Sequence, residues 1–379
     1  MSLIWPATET AIAVAEPRLH AFVVAVGDYP HLLGGTGELA HDPFNLSQVA
    51  TPRFTGPSVA AWLIEKLRNS DRPLGSVEVL LSPGGTISTP GGPVLANPAT
   101  MANIEQSFAA WLKRCDTHPE NAAFFYFCGH GLAKVGQYLL PEDFGDPKAA
   151  DIWKKCIDFD GLRIGMRKCR ARTQLFFVDA CRETPFGVLA QINVRGEPLI
   201  SATFNDPAVP CSAAYYATTE GRQAYGPADG PTYFSQALLC CLNGVAAMKR
   251  MSGKWMVDTY SLGNALGQTM AQYARRFKLP LSCNPDPGGM ATIHEAPTPR
   301  VIVAIECSSA QASDVADIKI AANGTVVLHS PPGSMKPIVE DVAAGSWTVA
   351  VSFPGGQFAT PAPEDYVFMP PVFEGVRVP

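Results

Sequence analysis

The chain has 379 residues, 47% of them hydrophobic and 17% charged, and a formal net charge of −5. That length allows two domains with a sizeable core, while the mild acidity and the lack of any Lys/Arg block argue against nucleic acid as a direct ligand. With no run of roughly 18 apolar residues and no basic segment followed by an apolar one at the N-terminus, the sequence predicts neither a membrane span nor a signal peptide, hence a cytoplasmic protein. The ten cysteines include no Cys-x-x-Cys pair, so they read as free thiols in a reducing compartment, without a zinc or thioredoxin-type site.

Residues 1–19 read as an N-terminal arm. Ala21–Val26 is a continuous apolar run, predicted as a buried strand stopped by Gly27. Residues 30–57 read as loop, and Ser58–Asn69 has helical spacing in Val59, Ala60, Leu63, Ile64 and Leu67. Val77–Leu81 is a second strand. Thr100–Cys115 is a helix built on Ile104, Phe108, Trp111 and Leu112, with Thr100 or Asn103 as its cap. A third apolar run ends in Phe-Cys-Gly-His at His130, and a fourth in Val-Asp-Ala-Cys at Cys181. Between them Ile157–Arg170 reads as a crossover helix. Ala213–Thr218 is a further strand, and Thr232–Leu242 and Leu262–Phe277 are helices. Apolar strands alternating with helices predict a mostly parallel sheet covered on both faces. Beyond residue 300 the pattern changes to short alternating runs at Val301–Ile305, Asp317–Ile320, Thr325–Leu328, Trp347–Phe353 and Val372–Val378, the pattern of a small all-β sandwich. The expected organisation is therefore an arm over 1–19, an α/β domain over 20–295 and a β-sandwich over 300–379.

In such sheets ligands gather at the carboxyl ends of the strands. His130 and Cys181 both stand there, 51 residues apart with His first. An isolated His is more often a satisfied structural residue, and an isolated Cys a small buried hydrophobe. Paired strand ends give them the two parts of a thiol nucleophile, the sulfur and the base that handles its proton.

Several stretches together resemble the caspase-like (clan CD, peptidase C14) cysteine peptidases, most similar to their prokaryotic and metacaspase-like members. These are Ala-Val-Gly-Asp-Tyr at 25–29, His130-Gly131, Asp179-Ala-Cys181-Arg, Ala-Thr-Thr-Glu-Gly-Arg-Gln-Ala-Tyr at 217–225, and Thr-Tyr-Phe-Ser-Gln-Ala-Leu at 232–238. The last 80 or so residues lie outside the resemblance. It implies a cysteine endopeptidase in which Cys181 attacks the scissile carbonyl, His130 protonates the leaving amine, and the backbone amides of Gly131 and Cys181 hold the oxyanion. It also implies a caspase-like fold and a role in regulated proteolysis such as stress response, cell death or antiviral defence, a CRISPR-linked cascade among them.

Two features set the chain apart from true caspases. Asp179 stands two residues before Cys181, where caspases have Gln; the metacaspase side of the clan places acid there to pair with a cation. The expectation is cleavage after Arg, with Lys second, on protein or peptide substrates, with Asp28 as a second pocket acid. Glu183 stands where caspases have Gly. In the turn-rich 183–211 stretch Arg195 is a candidate processing site, cut by the chain itself or by an upstream protease. Metacaspase-like members often hold Ca²⁺; Asp143, Asp146, Asp158 and Asp160 lie in the corresponding region, but no Asp closely follows Cys181, so no cofactor or metal is expected. The competing reading is a catalytically silent caspase-like scaffold or binding protein.

Overall fold

The computed structural model describes residues 2–6, 16–189, 194–201, 209–370 and 374–378. Its packing divides the chain into two units: residues 1–236 with 283–291, and residues 237–282 with 292–379.

The first unit is built on a seven-stranded sheet of β1 (Leu3–Trp5), β2 (Leu19–Val26), β3 (Leu74–Ser82), β4 (Ala122–Gly129), β5 (Thr173–Ala180), β6 (Cys211–Tyr216) and β7 (Asn284–Asp286). Their spatial order is β1-β3-β2-β4-β5-β6-β7. The five central strands run parallel, and the two short outer ones antiparallel. β2 and β5 are buried along their whole length and β4 all but its last residue, as expected of parallel strands covered on both faces. Aromatic side chains stack from strand to strand: Phe124 on Phe177 at 4.8 Å, and Phe177 on Tyr215 at 5.0 Å.

Helix α1 (Pro52–Glu65) begins six residues before the expected start. Pro52 sits in its first turn, where a missing N–H costs nothing, and Pro57 lies inside the helix, so the prolines concealed its beginning. Helix α2 (Met101–Cys115) is as expected, with the Thr100 hydroxyl accepting from Asn103 N. It buries Ile104, Phe108 and Trp111 against the sheet; Trp111 stacks on Phe22 at 5.8 Å and donates to the His20 carbonyl at 3.0 Å. The expected long crossover helix is only α3 (Phe159–Gly165) with a 3₁₀ turn after it. Ile157–Asp158 is instead a strand paired with Gln137–Leu139, which pairs in turn with Gly131–Ala133. Asp158 then stops the strand and caps α3 by accepting from Gly161 N.

In the second unit, Arg300–Cys307 pairs with Ile338–Ala343 and Glu374–Val378, while Thr325–Ser330, Asp317–Ala322, Gly345–Ser352 and Glu364–Phe368 form a second sheet in that order. One core of Val303, Ile305, Ile318, Ile320, Trp347 and Val349 lies between them, which is the anticipated sandwich. Its expected boundary near 295–300 does not coincide with the division made by packing. The helix Thr259–Phe277 groups with the sandwich strands through Arg275–Glu306 (2.6 Å) and Arg276–Glu340 (2.9 Å). Among the described residues no helix is long and apolar enough to cross a membrane.

Candidate active site at the carboxyl edge of the sheet

β4 and β5 pair in register from Ala122–Thr173 to Gly129–Ala180. The next residues on the two strands are His130 and Cys181, so both side chains leave the sheet at the same level. Both line a cavity of about 320 Å³, with Asp179, Cys128 and the segments 48–52 and 224–228.

The imidazole Nε2 of His130 lies 2.6 Å from the Ser47 carbonyl. A carbonyl only accepts, so Nε2 carries the proton and Nδ1 keeps its lone pair. Burial holds the His130 pKa below its ordinary value, against the opposing pull of that hydrogen bond. Burial also raises the Cys181 thiol; the Ala224 N–H, donating to Sγ at 3.2 Å, works the other way, and Glu183 and Asp179 add to the rise. Both shifts favour an uncharged resting pair, thiol beside neutral imidazole.

The main chain at Cys181 is clamped from two directions. Gln137 Nε2 donates to the Cys181 carbonyl at 3.0 Å, and the Arg182 guanidinium donates to Gln137 Oε1 at 3.2 Å while lying 4.4 Å over the Tyr216 ring. Arg182 N donates to Arg222 O, and Gly221 N to Arg182 O, which holds the 220–224 segment beside the cysteine.

Gly131 follows the histidine. Leu140 N donates to His130 O at 3.0 Å, so 130 and 140 form a hydrogen-bonded pair, 131 and 139 a non-bonded one, and the Gly131 N–H points away from that ladder. A Cβ at 131 would stand 2.6 Å from the Cys181 carbonyl oxygen and equally close to Gln137 Nε2; only glycine fits.

Asp179 is the second-last residue of β5 and is 2% exposed. The Tyr126 and Thr232 hydroxyls both donate to its Oδ2, the former at 2.7 Å. Among the described residues Oδ1 is buried with no hydrogen-bond partner. Burial raises the carboxyl pKa to about 6, against the lowering effect of Thr232, Tyr126 and the Cys128 thiol. A buried carboxylate oxygen of this kind, in a cavity that also holds Cys181, could accept a hydrogen bond from a charged donor.

Asp28 does not join it. β2 lies between β3 and β4, and the Asp28 N–H donates to Ser82 O of β3 at 3.3 Å. Its carboxylate stands near Glu142, whose pKa it helps to raise, and it is absent from the cavity lining. The hook onto β3 turns the strand exit away from the expected pocket, and Tyr29 crosses toward His130 instead.

Arg195 is exposed, but its neighbours are tied down: Tyr138 Oη donates to the Val194 carbonyl at 3.1 Å, Glu197 N to Cys156 O at 2.8 Å, and Asp158 N to Glu197 O at 3.0 Å. The rest of the 183–211 stretch falls partly on 190–193 and 202–208, outside the described residues. The Glu183 carbonyl accepts from Ala133 N, and its carboxylate from Gln223 Nε2 at 2.9 Å.

The four acids considered for Ca²⁺ are engaged elsewhere. Asp143 accepts from Met101 N and pairs with Lys155 at 2.9 Å; Asp146 accepts from Lys148 N, Asp158 from Gly161 N and Asp160 from Gln137 N. Among the described residues no three His, Cys, Asp or Glu are grouped to hold a metal, so these residues do not fit a Ca²⁺ site.

The Ser47 carbonyl, the Ala224 amide, Tyr29 and Gln137 escaped the sequence reading. The first two are backbone groups, which no residue type announces. Tyr29 belongs to the Ala-Val-Gly-Asp-Tyr stretch, but nothing in its residue type marks it as a partner of His130.

Residues 93–275 match the caspase domain family, Peptidase_C14. That span holds His130, Gly131, Asp179 and Cys181, and omits Tyr29 and Ser47. The chain is 34% identical over 213 residues to an uncharacterized protein, y4kE, of Sinorhizobium fredii, covering 54% of this chain and 59% of that one. It is 23% identical over 308 residues to a probable protease of a Desulfuromonadales bacterium, covering 74% of this chain and 36% of that one. The chain therefore spans about six-tenths and about a third of these two relatives. Among solved structures, caspase-1 from Spodoptera frugiperda aligns with a TM-score of 0.40 at 13% identity, over 73% of this chain and 89% of that one. A protein from Geobacter sulfurreducens aligns with 0.42 at 13%, over 73% and 94%.

Proposed function

We propose, from the match of residues 93–275 to the caspase domain family, Peptidase_C14, that this chain is a cysteine endopeptidase that cuts after arginine, and second after lysine, through a His130/Cys181 dyad. The observation that carries the reading is the register of β4 and β5, which brings His130, Cys181 and the unpartnered Asp179 Oδ1 to one cavity.

The substrate's guanidinium enters beside Asp179 and supplies the donor that Oδ1 lacks. The resting thiol passes its proton to His130 Nδ1 as Sγ attacks the scissile carbonyl carbon. Cys181 therefore needs no thiolate before substrate arrives, in keeping with its raised pKa. The charge developing on the carbonyl oxygen is met by the N–H groups of Gly131 and Cys181. The Ser47 carbonyl, on Nε2–H, steadies the imidazolium formed in this step. His130 then gives the proton to the leaving amine, the C–N bond breaks, and a thioester remains on Cys181. Water, deprotonated by His130, hydrolyses it and returns the thiol.

The test is turnover of fluorogenic peptides carrying Arg, Lys, Asp or Leu before the cut, with the wild-type chain and Cys181→Ala. Turnover of the Arg and Lys peptides by wild type alone is expected. Equal background rates for both proteins would leave the scaffold reading.

A further inference from the structure

We propose that Tyr29 is a positioning residue for His130, its hydroxyl replacing one strand-to-strand hydrogen bond and so setting the height of the imidazole above Cys181. The inference rests on the reading of His130 as the base of the dyad, and it adds a residue to that machinery.

Residues 130 and 140 face each other as a hydrogen-bonded antiparallel pair, and such a pair exchanges two N–H···O bonds. One is present: Leu140 N donates to His130 O at 3.0 Å. The other is routed through a side chain. His130 N donates to Tyr29 Oη at 2.7 Å, and Tyr29 Oη donates to Leu140 O at 3.3 Å. The phenol is thus a wedge in the ladder, one oxygen wide. It is fully buried. At Gly129 a Cβ would stand 2.8 Å from the Tyr29 hydroxyl, and the glycine leaves the room the wedge needs.

The same tyrosine reaches the other end of the histidine. Its ring lies 4.8 Å from the imidazole. Its own N–H donates to Gln48 Oε1 at 2.7 Å, and Gln48 Nε2 donates back to the Tyr29 carbonyl at 2.9 Å. Gln48 follows Ser47, whose carbonyl receives the Nε2 proton. The backbone N–H and the ring N–H of His130 are therefore held by two segments that one glutamine locks together. Without the hydroxyl, His130 N–H and Leu140 C=O face each other across a gap. The hairpin must close and carry the imidazole with it, or leave both groups unpaired. Tyr29 touches no reacting atom and acts only through His130.

Tyr29→Phe in the full chain tests this. The expected result is a kcat on the Arg peptide lower by about tenfold to a hundredfold, with KM changed by less than about twofold. Unchanged kcat in a folded variant overturns the proposal. A second readout does not depend on turnover. In wild type, proton NMR should show a slowly exchanging Tyr29 hydroxyl with a nuclear Overhauser contact to the His130 amide, and a protected His130 Nε2–H whose exchange is faster in Tyr29→Phe. Absence of that hydroxyl contact overturns the relay even if the variant fails to fold. Should wild type turn over no peptide, the peptidase reading fails while these NMR signals still decide the role of Tyr29.

Discussion

Along β2 and β5 every residue is buried, whereas along Trp347–Ser352 buried and half-buried positions alternate. The two units thus face opposite problems with polar groups. A parallel sheet covered on both faces has no wet side, so each polar side chain within it must find a partner inside: Glu78 meets Arg114, His20 meets Ser76, and Asp179 meets Tyr126 and Thr232. The sandwich has a wet side, and pairs such as Arg300–Asp341 and His329–Asp317 sit on it at least part-exposed. What differs is where an unmet polar demand can persist. Among the described residues the parallel sheet keeps buried, unpartnered atoms at Glu78 Oε2, Gln174 Oε1 and Asp179 Oδ1, and of these residues only Asp179 lines the cavity that holds Cys181.

Four perturbations would sharpen or break this contrast. The largest effect is expected from Cys181→Ala, which should lower peptide turnover by at least about 10³-fold, read in the fluorogenic assay. Next comes the pH dependence of stability. The Asp179 carboxyl is held at about 6 in the fold against an ordinary 3.8, so the folded state binds the extra proton between those values. Stability is fully present below about pH 4 and falls as pH rises through about 6, by on the order of 3 kcal/mol in all. Urea unfolding at pH 4, 5, 6 and 7 reads that slope. A guanidinium ligand, favouring the ionised form, should bind more weakly as pH falls below about 6. Third, Asp179→Asn should flatten the slope and cost about 10²-fold in kcat/KM for Arg peptides, with little effect on any residual cleavage after Leu. If the Arg and Leu peptides suffer alike, Asp179 anchors its loop and does not choose the substrate. The smallest effect belongs to the sandwich: Ile320→Val, a buried methylene lost, should cost about 0.5–1.5 kcal/mol and be indifferent to pH. A pH-dependent loss there would break the contrast.

Much of the parallel sheet was legible because apolar runs such as Phe-Phe-Tyr-Phe and Leu-Phe-Phe-Val admit few other homes, and the residues ending them identify themselves by their chemistry. The Thr100 cap was legible for a similar reason, a hydroxyl just before a periodic apolar face. What escaped was held by backbone or by brevity. β1 and β7 are three residues each, and Ile338–Ala343 and Glu364–Phe368 carry acids that mask their alternation. That Asp28 stands away from the cavity lining is not legible, because which adjacent strand a loop hooks onto, here β3 through Ser82, is a fact of strand order. Arg195 lay among turn-forming residues and read as loose; the pairing of Glu197 with residues 156–158 leaves no trace in composition.

The outermost strands β1 and β7 have one further consequence. A parallel sheet left open at its sides is a template on which a neighbouring chain can lay another strand. Here each side is closed by three residues running the opposite way, and Pro285 at the centre of β7 has no N–H to offer. An incoming strand must first peel away a cap, so the long apolar strands inside are shielded from runaway growth of the sheet by two of the shortest segments in the molecule.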